Sequence, residues 1–193
     1  AHKSHEPAKL TRTSTTSFTL TDIDFTDGPY LDENISTTTI YASAATGTGI
    51  NLVASAATFE SGHVGALFRF REIIETSHDA WEASTSYAQN DTVRNAGNVY
   101  KKTNSGSHTS GTTAPVHTTG TETYGSIDWE FQHSGTGFVK ITGFTSSTQV
   151  AADVKSTLPA SVVGSSNPTT KWSEGAFSSV RGFPKALAFY EER

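Results

Sequence analysis

The reactive side chains of this sequence are plentiful, but few are spaced for chemistry. Asp22, Asp24 and Asp27 cluster, and Asp128 and Glu130 flank Trp129. Paired carboxylates cleave glycosides when a cleft holds them about 5–10 Å apart, whereas acids beside a bend or turn usually act as solvated or capping groups. The histidines form neither an H-x-x-x-H nor an H-E-x-x-H motif, and His108 and His117 sit in a polar stretch, so no metal ligand set is expected. Without cysteine there is neither a thiolate site nor a disulfide. There is no G-x-S-x-G elbow, P-loop or Rossmann fingerprint, and Gly47-Thr48-Gly49 reads as a turn. The expectation is a noncatalytic chain with no cofactor and no metal.

Aromatic residues are the remaining candidates. Trp81 is followed by Tyr87, then Asp91-x-Val93, Gly97-x-x-Tyr100, Pro115 and Trp129. In order and spacing this resembles the small chitin- and cellulose-binding modules of carbohydrate-binding families 5 and 12, over about 55 residues. The resemblance implies sugar binding by ring stacking; the candidate glycan-binding residues are Trp81 and Tyr87, for which a core role is the alternative, and Tyr124 with His108 or His117, loop residues that no motif spacing places there. Tyr100 and Trp129 are expected to form the aromatic core. So short a module cannot build an aliphatic core, and large rings, each burying roughly 150–250 Å², supply the burial instead. One departure stands out. Those modules carry an adjacent aromatic pair just after the Gly-x-x-Tyr strand, and here the segment reads Lys102-Thr103-Asn104-Ser105-Gly106.

The elements that must position these rings are strands. Of 193 residues, 34% are hydrophobic and 17% charged, and Ser, Thr, Gly and Asn fill the balance. That composition favours pleated, half-buried surfaces broken by turns. The fold class expected is all-β: a sandwich or barrel-like domain formed by residues 1–76 and 135–193, interrupted by a small aromatic-cored β module at 77–134. Phe18 and Leu20 alternate, and Ile23 and Phe25 continue on the opposite parity, so a bulge or bend is expected near Thr21-Asp22. Residues 37–55 read as a hairpin, and within 59–74 Phe68 and Phe70 interleave with Arg69 and Arg71 as a half-buried strand. Residues 103–125 read as a loop, 137–141 as a strand, and 150–158 as extended structure or a short helix. The chain is expected to close with one or two strands over 177–190. With 14 basic and 19 acidic side chains, net charge −5, sequence-specific nucleic-acid binding is not expected. No run is long enough for a membrane span. The sequence contains no methionine and reads as a piece of a longer protein.

The flanks carry a second resemblance. Pro7-Ala8-Lys9-Leu10-Thr11-Arg12, Phe25-Thr26-Asp27-Gly28-Pro29-Tyr30, Phe138-Val139-Lys140-Ile141-Thr142-Gly143 and Trp172-Ser173-Glu174-Gly175-Ala176-Phe177-Ser178 are similar to segments of tail tubular, or nozzle, proteins of short-tailed bacteriophages. The resemblance implies a noncatalytic virion structural segment in the phage tail. Its partners would be other tail proteins and copies of itself in a ring, and its inserted module would meet cell-surface polysaccharide during adsorption. The alternative is a glycan-binding fragment of a secreted bacterial carbohydrate-active enzyme. A linker of Ser, Pro and Gly would favour that alternative, whereas interruption of a strand-rich domain favours the tail.

Overall fold

The computed structural model describes residues 7–23 and 25–184. Ala8–Arg12 (β1) and Phe18–Asp22 (β2) form a hairpin that is exposed along almost its whole length. Ile40–Ala42 (β3) pairs with Ile50–Ala54 (β4), and Leu67–Arg71 (β5) follows. A single helical turn, Ile74–Ser77 (α1), leads to Asp79–Ala80 (β6). Then come Ser86–Tyr87 (β7), Thr92–Asn95 (β8), Asn98–Lys102 (β9), His108–Thr109 (β10), Thr121–Tyr124 (β11) and Ile127–His133 (β12). Thr136–Ser146 (β13), Gln149–Ser156 (β14) and Trp172–Glu174 (β15) complete the order. The protein is all-β, and no helix among the described residues is long and apolar enough to cross a membrane.

Six strands, β15-β5-β13-β14-β4-β3, make one antiparallel sheet. The connection after β14 bridges β3 at Ala42↔Val163 and Ile40↔Thr169, then enters β15 at the opposite edge. The Trp172 indole N–H donates to the Thr38 carbonyl at 3.0 Å. The two edges are thereby joined, and the sheet curls into a barrel-like shell. Alternate residues point inward, as the period of two requires. Phe68, Phe70, Leu52 and Val139 are fully buried, and Trp172 stacks on Phe68 with centroids 6.0 Å apart.

The second sheet, β11-β12-β9-β8-β6, is antiparallel except for the parallel β6–β8 pair, and β7 pairs with β10 in a separate ribbon. Its core is Tyr87, Val93, Tyr100, Ile127 and Trp129. Residues 79–133 supply all its strands, and those of the six-stranded sheet come from both sides of that segment.

Two expectations differ from what is observed. The β1–β2 ladder runs in register from Ala8↔Asp22 to Arg12↔Phe18 without a bulge, while Phe18 and Leu20 are 56% and 70% exposed. Their alternation marks an outer ribbon and does not mark a core face. Asp24 and the part of 177–190 beyond 184 lie outside the described residues. The stretch 103–125 contains β10 and β11; the latter is Thr-Glu-Thr-Tyr, a mostly exposed edge strand with no apolar alternation to announce it. Of the two readings of 150–158, the extended one is observed: residues 149–156 are strand.

The β8–β9 hairpin turns through Ala96 and Gly97, whose φ values are +49° and +80°. Two-residue turns of this kind need positive φ at both positions, which Asn and Gly tolerate and Ala does not. Ala96 is exposed and Asn is the better residue there. Ala96→Asn is expected to raise stability by about 0.5–1 kcal/mol, read as a higher urea midpoint at unchanged slope.

Candidate functional site

The rings singled out by type are placed by the inserted sheet and by the loop folded over it. Cross-strand pairs Val93↔Tyr100 and Tyr124↔Ile127 set these residues on neighbouring strands, with Trp129 beside them. Tyr87 meets Trp129 edge-on, centroids 5.2 Å apart at 76°. Its hydroxyl accepts from the Glu82 N–H at 2.8 Å and donates to the Glu82 carbonyl at 3.3 Å. Burial pushes the Tyr87 phenol up. At 8% exposure this ring is core and offers no open face to a sugar, which corrects its expected place among the stacking residues.

Tyr100 and Trp129 are fully buried. Burial pushes the Tyr100 phenol up as well, and its hydroxyl donates to the His117 carbonyl at 2.9 Å. His117 stacks on Tyr124 at 5.7 Å and 19°. The Tyr124 hydroxyl donates to Glu122 Oε2 at 3.2 Å and accepts from the Val116 N–H at 3.3 Å. One face of Tyr124 is thus taken by His117. Trp81 is half-buried against the same core, with its indole nitrogen buried and without a hydrogen-bond partner. His108 lies opposite Tyr87 in the β7–β10 ribbon, its Nδ1 also buried and unpartnered.

Lys102 begins the segment that replaces the aromatic pair of the resembling modules. It is fully buried, and its ammonium donates to the carbonyls of Asn104 and Gly106 at 2.5 and 2.8 Å. A buried charge needs such acceptors. The loop is therefore wrapped round a lysine and holds no ring up to solvent at that point.

A wide concavity lies elsewhere, between the inserted sheet and the barrel. It is an open groove of about 770 Å³. Asn98, Thr118, Thr119, Glu130, Phe131 and Gln132 line one wall. Thr46, Lys155, Ser156 and Thr157 line the other. Phe131 is half-buried and packs edge-on against Tyr100 at 6.1 Å. Gln132 donates to Glu130 Oε2 at 3.0 Å. None of Trp81, Tyr87, Tyr124 or His108 is among its lining residues. The groove eluded sequence reasoning because its hydroxyls and amides follow no motif; Phe131, two residues after Trp129, was its one local signal.

The described acidic candidates for hydrolysis have separate surroundings. Asp27 accepts the Tyr30 hydroxyl at 2.9 Å, and Asp128 accepts the Thr123 hydroxyl at 2.6 Å. Asp22 lines a separate small pocket of about 240 Å³ beside Lys140. Glu72, His78 and His133, which no sequence spacing connects, do converge, at the point where the chain passes between the two sheets. No family model matches the chain, and no curated protein matches it.

Proposed function

We propose that this chain is a noncatalytic structural segment of a phage tail nozzle, and that its inserted module holds a host-surface glycan in the groove against the barrel. The observation that carries the glycan reading is the groove itself. It is open and walled by hydroxyl, amide and charged groups beside the Phe131 ring. Sugars present C–H faces to an aromatic ring and hydroxyls to a polar rim, and Phe131 with Thr119, Gln132 and Lys155 offers both. Among the described lining residues only Glu130 carries a carboxylate, which suits binding better than a two-carboxylate cleavage. The assembly half of the reading draws on the exposed β1–β2 ribbon. Leu10, paired with Leu20, is 66% exposed, and an isolated two-stranded hairpin is marginal in water until something covers it. A second copy in a ring is the proposed cover, and many weak glycan sites in one ring raise effective concentration.

Calorimetric titration with chito- and cello-oligosaccharides and capsular polysaccharides is the test. Gln132→Ala and Phe131→Leu are expected to weaken binding about tenfold or more, whereas Trp81→Ala leaves it unchanged. Loss in Trp81→Ala with the groove variants intact would move the site off the groove, and no binding by any glycan would remove the adhesive role. In sedimentation, Leu20→Lys is expected to lower self-association. A wild-type monomer at every concentration would remove the ring.

A further inference from the structure

Three groups meet where the chain leaves the barrel and returns to it, one of which, His133, also borders the groove. Glu72 follows β5, His78 precedes β6, and His133 ends β12. Their side chains are 7%, 16% and 5% exposed. His78 Nε2 lies 3.4 Å from Glu72 Oε1, and His133 Nε2 lies 3.2 Å from Glu72 Oε2. The three donor atoms are within 4.8 Å of one another. Glu72 Oε2 and His78 Nε2 are nonetheless buried without a hydrogen-bond partner. These two atoms are thus close to the cluster's other groups yet keep lone pairs that no hydrogen bond uses.

We propose that Glu72, His78 and His133 form a divalent transition-metal site, of zinc type, that staples the inserted module to the barrel. Two imidazoles and one carboxylate match the ligand preference of zinc. With bonds of about 2.0–2.1 Å, the edges of a tetrahedron of ligands are about 3.3–3.4 Å; the two imidazole nitrogens lie at about that distance from different oxygens of Glu72, so a small turn of the carboxylate has to bring one oxygen to the metal. The charge also suits a cation: one carboxylate and two neutral rings, near the surface on the His78 side, with a fourth position left for water or an outside group. His78 Nδ1 meets the Thr92 hydroxyl at 3.0 Å, the kind of outer contact that orients a metal-binding ring. One contact opposes binding. The Gly135 N–H donates to His133 Nδ1 at 3.1 Å, which puts the ring proton on Nε2. Metal on Nε2 moves that proton to Nδ1, so the Ser134–Gly135 peptide has to turn away, and affinity is lower than at a site already in the right tautomer. The site is structural: it joins the two sides of the outgoing crossing, Glu72 and His78, to the end of β12, His133, so binding stabilises the folded chain by linkage.

The test is metal titration of the chelator-treated full chain with Zn²⁺, and with Co²⁺ as a spectroscopic probe. One equivalent is expected to bind, to raise Tm, and to give Co²⁺ the intense visible bands of a four-coordinate site. His78→Gln is expected to weaken binding by about 100-fold or more, beyond the 10–100-fold of an outer-shell change. Glu72→Gln, which keeps the shape of the side chain, is the second variant should the first fold poorly. His117→Gln is the control and is expected to bind as wild type does. Absence of stoichiometric binding, or binding that survives both Glu72→Gln and His78→Gln, would overturn the proposal.

Discussion

Glu174→Ala is expected to lower stability by about 3 kcal/mol, because it strands a buried donor and removes a charge-assisted pair at once. Glu174 lies on β15 opposite Phe68 and is 7% exposed. The Glu60 N–H donates to His63 Nδ1 at 2.8 Å, so the ring proton sits on Nε2 and is donated to Glu174 Oε1 at 2.9 Å. Arg181 donates its Nε to the same oxygen at 2.9 Å and a terminal nitrogen to Oε2. Removing the carboxylate leaves His63, with a side chain 3% exposed, with no acceptor for Nε2. Glu174→Gln keeps an acceptor and loses the charge, so about 1–2 kcal/mol is expected.

The same site predicts an acid dependence. Burial alone would raise the Glu174 carboxyl, but the hydrogen bonds from His63 and Arg181 hold it below the usual value of 4.5. A carboxyl whose pKa is lower in the folded chain is protonated first in the unfolded one, so acid favours unfolding. The contribution of Glu174 is present in full above the unfolded value and is lost as pH falls through the folded one. Glu33, held down first by its hydrogen bond from Arg71, acts with the same sign, and it remains in both proteins. The difference between wild type and Glu174→Gln in urea denaturation therefore isolates Glu174, and it is expected to shrink from pH 7 to pH 3. A Glu174→Ala protein within about 0.5 kcal/mol of wild type, or a gap that does not change with pH, would refute the role assigned to this pair.

How far the fold could be read from sequence depended on whether a strand has one dry face. Phe68 and Phe70 alternating with arginines, and Ile50, Leu52 and Ala54 alternating with Asn51 and the half-buried Val53, are legible because the barrel core selects every second side chain. Exposure breaks that rule. β11 has no dry face to print in its sequence, and Phe18 with Leu20 prints alternation without burial. Barrel closure rests on backbone bridges from residues 163–169, which leave no residue-type signature. The site was less legible still. Residue type selects Tyr87 as a ring, but only packing decides that Trp129 covers it. The groove walls come from five separate stretches, and Glu72, His78 and His133 from three, joined by topology alone.

The severest single substitution expected in the barrel adds one methyl group. Gly137 lies on β13 opposite Phe70, just after the chain returns from the inserted sheet. A Cβ built there would stand 2.3 Å from the Thr157 carbonyl oxygen and 2.8 Å from the Leu158 Cα. Those are backbone atoms, and they cannot swing aside as a side-chain tip would. Nor can the segment easily retreat. The Leu158 side chain is 1% exposed in the core, and its N–H donates to the Ala45 carbonyl at 3.0 Å. Thr157 also lines the groove, so the contact that fixes β13 fixes one groove wall. Gly137→Ala is expected to cost about 3 kcal/mol or more, the upper end of overpacking. Gly143→Ala is the control on the same strand: its Cβ would meet only the Ala151 Cβ at 3.6 Å, an ordinary contact, and a change within about 0.5 kcal/mol is expected. Equal urea midpoints for the two variants would mean that residues 157–158 yield, and that the wall they form is not set by this crossing.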